Sequence, residues 1–374
     1  MTRIRKVISL AVGTALVLSA CGDDDDDEGS ADTTAAAATT APGADTTAAA
    51  GGDCVVGVSW NNYQEERWAK FDEPAIKAAV EAGGGSYVSN DAKSSAETQA
   101  SNLENLISQG ANVLIVLAQD GTAIKPAVAD AASNGVPVVA YDRLIEDPGV
   151  LYLTFDNIEV GRMQAREIFA LVPEGNYVII KGNSADANAD FLRGGYEEVI
   201  GEAVAAGDIT IVGETYTDNW DPALAQTEME QFLTAADNDV DAVLVENDGM
   251  AGGVVAALEA QGLAGQLPVS GQDGDQAALN RVALGTQTVS VWKDARELGT
   301  AAGEAAVQLC NDPDVTKVAG TAPFTTPGGI DVTSVLLTPI PIKQDNLDVI
   351  LEAGWIDEAT LCQGVEAGSV AACG

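Results

Sequence analysis

From Cys54 onward the chain alternates short, almost wholly apolar runs with longer runs whose apolar residues recur every three or four positions. The short runs predict strands at Cys54–Trp60, Ser86–Asn90, Val113–Ala118, Pro137–Asp142, Leu151–Asp156, Tyr177–Gly182, Ile209–Thr215, Ala242–Asn247, Pro268–Asp273 and Thr286–Val291. The amphipathic runs predict helices over 66–82, 96–109, 122–134, 157–172, 188–205, 222–236, 249–262 and 275–284. Glycines such as Gly83, Gly110 and Gly135 punctuate their ends. Regular strand–helix alternation predicts an α/β chain with parallel sheets covered by helices on both faces. The strands lack polar alternation, as burial of both faces requires. More than 300 residues follow this pattern, which exceeds one comfortable core, so two similar lobes are expected.

The first 53 residues follow different rules. Arg3, Arg5 and Lys6 precede the apolar stretch Val7–Leu18, which is too short for a permanent membrane span. Residues 1–20 therefore read as a signal peptide. The stretch Leu18-Ser19-Ala20-Cys21 resembles a bacterial lipoprotein cleavage site, which implies a lipid on Cys21. The mature chain is then exported and anchored to the outer face of the cytoplasmic membrane; a plain secretory signal is the alternative. Residues 21–53 are acidic and Ala/Thr-rich, with nine acids and no base, and cannot bury enough apolar surface to order themselves. They read as a disordered tether.

Charge and residue absences narrow the function. With 18 Lys+Arg against 57 Asp+Glu the formal charge is −39, which repels nucleic acid. The chain has no histidine, which excludes Ser-His-Asp and Cys-His catalysis and His-ligated zinc. Cys54, Cys310, Cys362 and Cys373 remain after Cys21, an even number in an oxidising compartment. Three pairings are open; a short tail loop Cys362–Cys373 with Cys54–Cys310 is preferred.

Open parallel sheets bind ligands beyond the carboxyl ends of their strands. The residues there are Glu66-Arg67-Trp68, Tyr141-Asp142-Arg143, Asn183 to Asn188, Asp218-Asn219-Trp220-Asp221, Glu246-Asn247-Asp248, Gln272-Asp273 and Trp292-Lys293. The set is rich in Asp, Asn, Arg and Trp and poor in nucleophiles. It suits a neutral polyhydroxylated ligand: Asp accepts two hydroxyl protons, Arg donates through a planar fork, Asn does both, and an indole covers a sugar's C–H face.

The stretches Glu66-Arg67-Trp68, Val139-Ala140-Tyr141-Asp142-Arg143, Phe155-Asp156-Asn157, Ala257 to Gly265, Ser270-Gly271-Gln272-Asp273 and Leu337-Thr338-Pro339-Ile340 carry a resemblance. Over about residues 54–345 the chain resembles periplasmic-type sugar-binding proteins of ABC importers, in the D-xylose-binding branch. The resemblance implies the type I fold, two Rossmann-like lobes joined by a three-segment hinge. Residues 54–154 plus 293–332 would form the first lobe, and 155–292 plus 333–374 the second lobe and tail. Crossings would fall near Phe155-Asp156-Asn157, Trp292-Lys293 and Asp331–Ser334. The implied ligand set is Arg67, Trp68, Asp142 and Arg143 from the first lobe, Asp186, Asn188, Trp220, Asn247 and Asp273 from the second, and Lys293 at the hinge. Between neighbours, Asp248 is expected to cap the helix that follows and Asn247 to face ligand. Asp273 is expected to contact ligand rather than cap the next helix.

The expected function is a monosaccharide receptor, for D-xylose first, that closes on its ligand and delivers it to the permease subunits of an ABC importer. It is expected to be a monomer, with no catalytic residue, cofactor or metal. Glucose, ribose, arabinose or galactose as ligand, with a role in import or chemosensing, is the alternative. A carbohydrate-active enzyme built on Asp142 and Asp273 is a further one, opposed by Arg143 beside Asp142, which favours the charged carboxylate. A sugar-responsive regulator is opposed by the export signal and the acidity.

Overall fold

The computed structural model describes residues 54–374. The signal peptide, the tether and the lipidation expected at Cys21 lie outside the described residues. Among those described, no helix is long and apolar enough to cross a membrane.

The first lobe opens with β1 (Val55–Trp60), a single π-helical turn at Trp68–Asp72, and α1 (Glu73–Ala82). There follow β2 (Ser86–Asp91), α2 (Ala96–Ser108), β3 (Val113–Val116), α3 (Lys125–Ser133), β4 (Val138–Tyr141) and β5 (Leu151–Phe155). The chain then enters the second lobe with α4 (Asn157–Leu171), β6 (Gly175–Lys181), α5 (Ala187–Ala206), β7 (Ile209–Tyr216), α6 (Pro222–Ala235), β8 (Ala242–Val245) and α7 (Asp248–Ala260). It continues through β9 (Gln272–Asp273), α8 (Gln276–Leu284) and β10 (Ser290–Trp292). It returns to the first lobe as α9 (Ala295–Asn311), β11 (Ala322–Thr325) and β12 (Asp331–Leu337). It finishes in the second lobe with β13 (Ile340–Ile342) and a tail carrying the short helices α10 (Asp348–Glu352) and α11 (Glu358–Leu361).

The first sheet has the order β11-β12-β5-β4-β3-β1-β2, parallel except for β11 against β12. In the second lobe β7-β6-β8 and β13-β10-β9 run side by side, linked by a parallel bridge between Val243 and Val269. Both faces of the central strands β1, β3, β4 and β5 are buried, which explains their uninterrupted apolar runs. Along β3, Val113 and Ile115 enter the core under α1 and α9, while Leu114 and Val116 enter the core under α2 and α3. Cys54 is bonded to Cys310, tying β1 to α9, and Cys362 to Cys373, closing the tail.

One expected boundary is corrected. Thr333–Leu337 pairs with β5 and Asp331–Ser334 with β11, so the segment expected to cross between lobes is a strand of the first sheet. The third crossing lies between Leu337 and Ile340, whose strand pairs with β10 of the second lobe. Phe155 and Leu337 are register partners, so the first and third crossings leave the first sheet side by side.

Candidate functional site

The carboxyl ends of both sheets face one narrow, nearly closed cavity. It is lined by Glu65, Arg67, Trp68, Asp142, Arg143, Asp186, Asn188, Trp220, Asn247, Gln272, Asp273 and Lys293. All ten residues expected from the sequence are thus brought to one place, although they span more than 220 positions of the chain. All the lining residues except Glu65 are buried.

The first lobe supplies its cations on a rigid frame. The Arg67 Nε and Nη2 donate to the two Asp72 oxygens at 3.0 and 2.8 Å. The Tyr141 hydroxyl donates to the same carboxylate. This fork leaves Nη1 turned into the cavity, 3.3 Å from both Asp142 Oδ2 and Asp273 Oδ1. Asp273 belongs to the second lobe, so Arg67 bridges the cleft; Lys293 at the second crossing reaches the same Asp273 oxygen at 3.5 Å. Arg143 makes the second bridge, with Nε 3.0 Å from Asp186 Oδ2 and Nη2 3.1 Å from Glu65 Oε1.

Electrostatics separate the carboxylates. Burial works against the charge on Asp142, but Arg67, Lys293 and Arg143 outweigh it and hold its carboxyl below the usual range. Burial pushes Glu65 and Asp186 up, with Arg143 opposing it at each. Asp142 Oδ2, Gln272 Oε1 and Trp220 Nε1 are buried without a hydrogen-bond partner in the protein, and all three residues line the cavity. Buried polar groups are ordinarily satisfied, so these are atoms of the cavity wall that the protein itself leaves unsatisfied.

Backbone strain collects at the same residues. Asp142 (φ 61°), Trp220 (φ 56°) and Asp273 (φ 100°) hold left-handed conformations that non-glycine residues rarely adopt. All three stand at or just beyond the carboxyl end of a strand and line the cavity. The Trp220 indole lies flat on Gly182: a Cβ there would fall 2.2 Å from its ring carbons. One indole face is therefore backed by bare backbone, and the residue lines the cavity. Trp68 donates from Nε1 to Glu65 Oε2 at 2.7 Å and lies under the Arg67 guanidinium, 4.4 Å from its ring centroid.

Several roles differ from expectation. Asn247, not Asp248, caps α7: its Oδ1 accepts from Met250 N at 2.9 Å. Asp248 lies inside the helix and accepts from the backbone N–H groups of Gly274 and Asp275 at 2.9 and 3.0 Å. Asn247 keeps its place on the cavity wall with the amide nitrogen. Asp186 caps α5 through Asn188 N as well as holding Arg143, so its oxygens are engaged within the protein. Asn188 likewise accepts from Asn157 and donates to the Asp142 carbonyl. Asp273 does not cap α8. Glu65 and Gln272 were missed as lining residues. Gln272 stands at a strand end and that position was its signal, whereas nothing in the sequence separates Glu65 from Glu66.

A family model described as "Periplasmic binding protein domain" matches residues 56–313. The chain is 38% identical over 309 residues to the D-xylose-binding periplasmic protein of Escherichia coli (strain K12), covering 82% of this chain and 92% of that protein. It is 36% identical over 305 residues to the D-xylose-binding periplasmic protein of Haemophilus influenzae, covering 81% and 90%. Among solved structures, an ABC transporter solute binding protein from Clostridium phytofermentans with bound beta-D-glucose matches with a TM-score of 0.75 at 27% identity, over 82% of this chain and 99% of that one. A carbohydrate transporter solute binding protein from Chloroflexus aurantiacus in complex with D-glucose matches at 0.74 and 27%, over 83% and 98%. With two α/β lobes whose strand ends converge on one polar cavity, and with these relatives along most of its length, the chain belongs to the periplasmic binding protein family, as a type I sugar-binding protein of the D-xylose-binding branch.

Proposed function

We propose that this protein is an extracytoplasmic receptor that captures a monosaccharide, D-xylose, between its lobes and delivers it to an ABC importer. The observation that carries this reading is the cavity wall itself, whose unpartnered hydrogen-bonding atoms come from both lobes. A ligand touching both lobes stabilises the closed form over the open one; a ligand touching one lobe cannot. Asp142 and Gln272 accept hydroxyl protons, and the Trp220 face covers ring carbons. Each hydroxyl mismatched by a wrong epimer leaves a buried group unpaired, at about 1–3 kcal/mol.

The protein is a receptor and not an enzyme in this reading. A glycosidase needs one carboxylic acid held protonated beside the scissile bond. Asp142 is held ionised by the cations around it. Glu65, which burial pushes up, spends its oxygens on Arg143 and Trp68. The mature protein is a monomer tethered by lipid on Cys21.

Isothermal titration against xylose, glucose, ribose, arabinose and galactose tests the ligand: xylose gives the tightest binding, and no heat with any of the five refutes the sugar reading. A tighter second sugar moves the assignment to that sugar. Xylosides recovered unchanged after incubation support the non-enzymatic role, and hydrolysis overturns it. Mass spectrometry of the mature N-terminus finds lipid on Cys21; an unmodified terminus refutes the anchor.

A further inference from the structure

The tail after β13 is tied down over its length. Asn280 of α8 donates to the carbonyls of Leu361 and Gln363 at 2.8 and 2.9 Å, next to the Cys362–Cys373 bond. Gln276 donates to the Trp355 carbonyl at 2.9 Å, and Arg296 to the Ala353 carbonyl at 3.0 Å. These bonds fix Trp355, which is 2% exposed, between the two lobes.

On one side Trp355 Nε1 donates to the Gly274 carbonyl at 2.6 Å. Gly274 follows Asp273 in a left-handed turn (φ 100° and 80°), and a Cβ on Gly274 would fall 2.4 Å from the Trp292 ring. The N–H of that glycine is held by Asp248, so the indole and the carboxylate grip the turn from opposite ends of one residue. On the other side the indole stacks on Phe71, with ring centroids 3.8 Å apart and planes at 20°. Phe71 lies in the π-helical turn Trp68–Asp72, which also supplies Trp68 to the cavity and Asp72 to the Arg67 fork. One side chain outside the cavity thus touches both segments whose charges meet across it, Arg67 and Asp273.

We propose that Trp355 is a positioning residue of the sugar site: its N–H holds the strained turn that aims Asp273, and its ring latches the Arg67-bearing turn of the first lobe to the second in the closed state. The proposal rests on the reading of the cavity as a sugar site. A tail that merely covered α8 requires neither contact.

Trp355→Phe keeps an aromatic ring opposite Phe71 and deletes the N–H. Amide hydrogen exchange reads its effect without ligand. Gly274 and Asp275 exchange roughly fivefold faster, the equivalent of one ordinary hydrogen bond, while α6 is unchanged. Stopped-flow with D-xylose reads its effect on the site: the dissociation rate rises by about the same factor and the association rate holds. Phe71→Leu removes the stack and spares the N–H, so dissociation quickens with Gly274 exchange unchanged. Unaltered exchange at Gly274 and Asp275 in Trp355→Phe, or exchange raised equally throughout the second lobe, overturns the proposal. So does unaltered dissociation in Phe71→Leu, which decides the matter if Trp355→Phe does not fold. If the unmodified protein binds no sugar, the sugar reading fails, and the exchange measurement still decides whether the indole holds the turn.

Discussion

Asp142→Asn isolates the chemistry of one acceptor. The Asp142 backbone carries the scaffold role, since its carbonyl accepts from Thr154 Oγ1 at 2.8 Å and from Asn188 Nδ2 at 3.1 Å. The side chain's Oδ2 lies 3.3 Å from the Arg67 guanidinium, with Lys293 and Arg143 the other cations acting on the carboxylate. Asparagine tolerates the left-handed backbone at this position (φ 61°) better than most residues. Arg67 keeps Asp72 and Asp273 as partners. The variant is expected to fold with some loss of stability, since Arg67, Lys293 and Arg143 lose a carboxylate among them, and its binding is compared below its own unfolding temperature. It replaces a charged double acceptor with one acceptor and one donor, removing a charge-assisted hydrogen bond to a sugar hydroxyl. Such a bond contributes about 1.5–3 kcal/mol. At about 1.4 kcal/mol per decade this weakens D-xylose binding roughly 12- to 140-fold. Titration calorimetry at neutral pH measures it, with thermal unfolding as the control on folding. The acid side checks the same group: its carboxyl is held below the usual value, so the acceptor is lost only as pH falls through that lowered pKa. Binding at pH 5 should then match binding at pH 7 as far as Asp142 is concerned. A variant that folds normally and binds within threefold of the parent refutes the placement of Asp142 against ligand.

Three further outcomes are expected. Trp220→Ala removes the stacking face and weakens sugar binding tenfold or more, with binding within threefold refuting the platform. Gly182→Ala drives a methyl group to 2.2 Å from the Trp220 ring and displaces it, weakening binding by roughly tenfold although residue 182 lines no part of the cavity; unchanged affinity means the indole does not need that backing. Glu246 is fully buried with Oε1 unpartnered, and burial pushes its pKa well above 4.5. The native state therefore keeps a proton that the unfolded chain releases above about pH 4.5, so stability falls as pH rises past that value. Urea unfolding of Glu246→Gln loses that contribution to the slope between pH 5 and 8, and identical slopes in parent and variant refute it.

The local order of this protein was written in the sequence because strand and helix periods are local properties. Apolar runs such as Val113–Val116 and glycine stops such as Gly83 reported the alternation, and the alternation implied parallel sheets with ligand chemistry at their carboxyl ends. That rule pointed to the strand-end stretches that hold Asp142, Trp220 and Asp273, and the family resemblance singled out those residues within them. What the residues do to one another was decided in three dimensions. The choice between Asn247 and Asp248 as helix cap turned on the Gly274 turn, which lies more than twenty positions further along the chain and draws Asp248 away. The third crossing moved because β12 finds a long parallel partner in β5, a pairing set by distant residues and not by its own pattern. Arg67 became a bridge between lobes only when Asp72, five residues on, fixed its fork and Asp273, 206 residues away, met its free nitrogen. Periodicity fixes which face of an element is buried; only packing decides which buried charges share a neighbour.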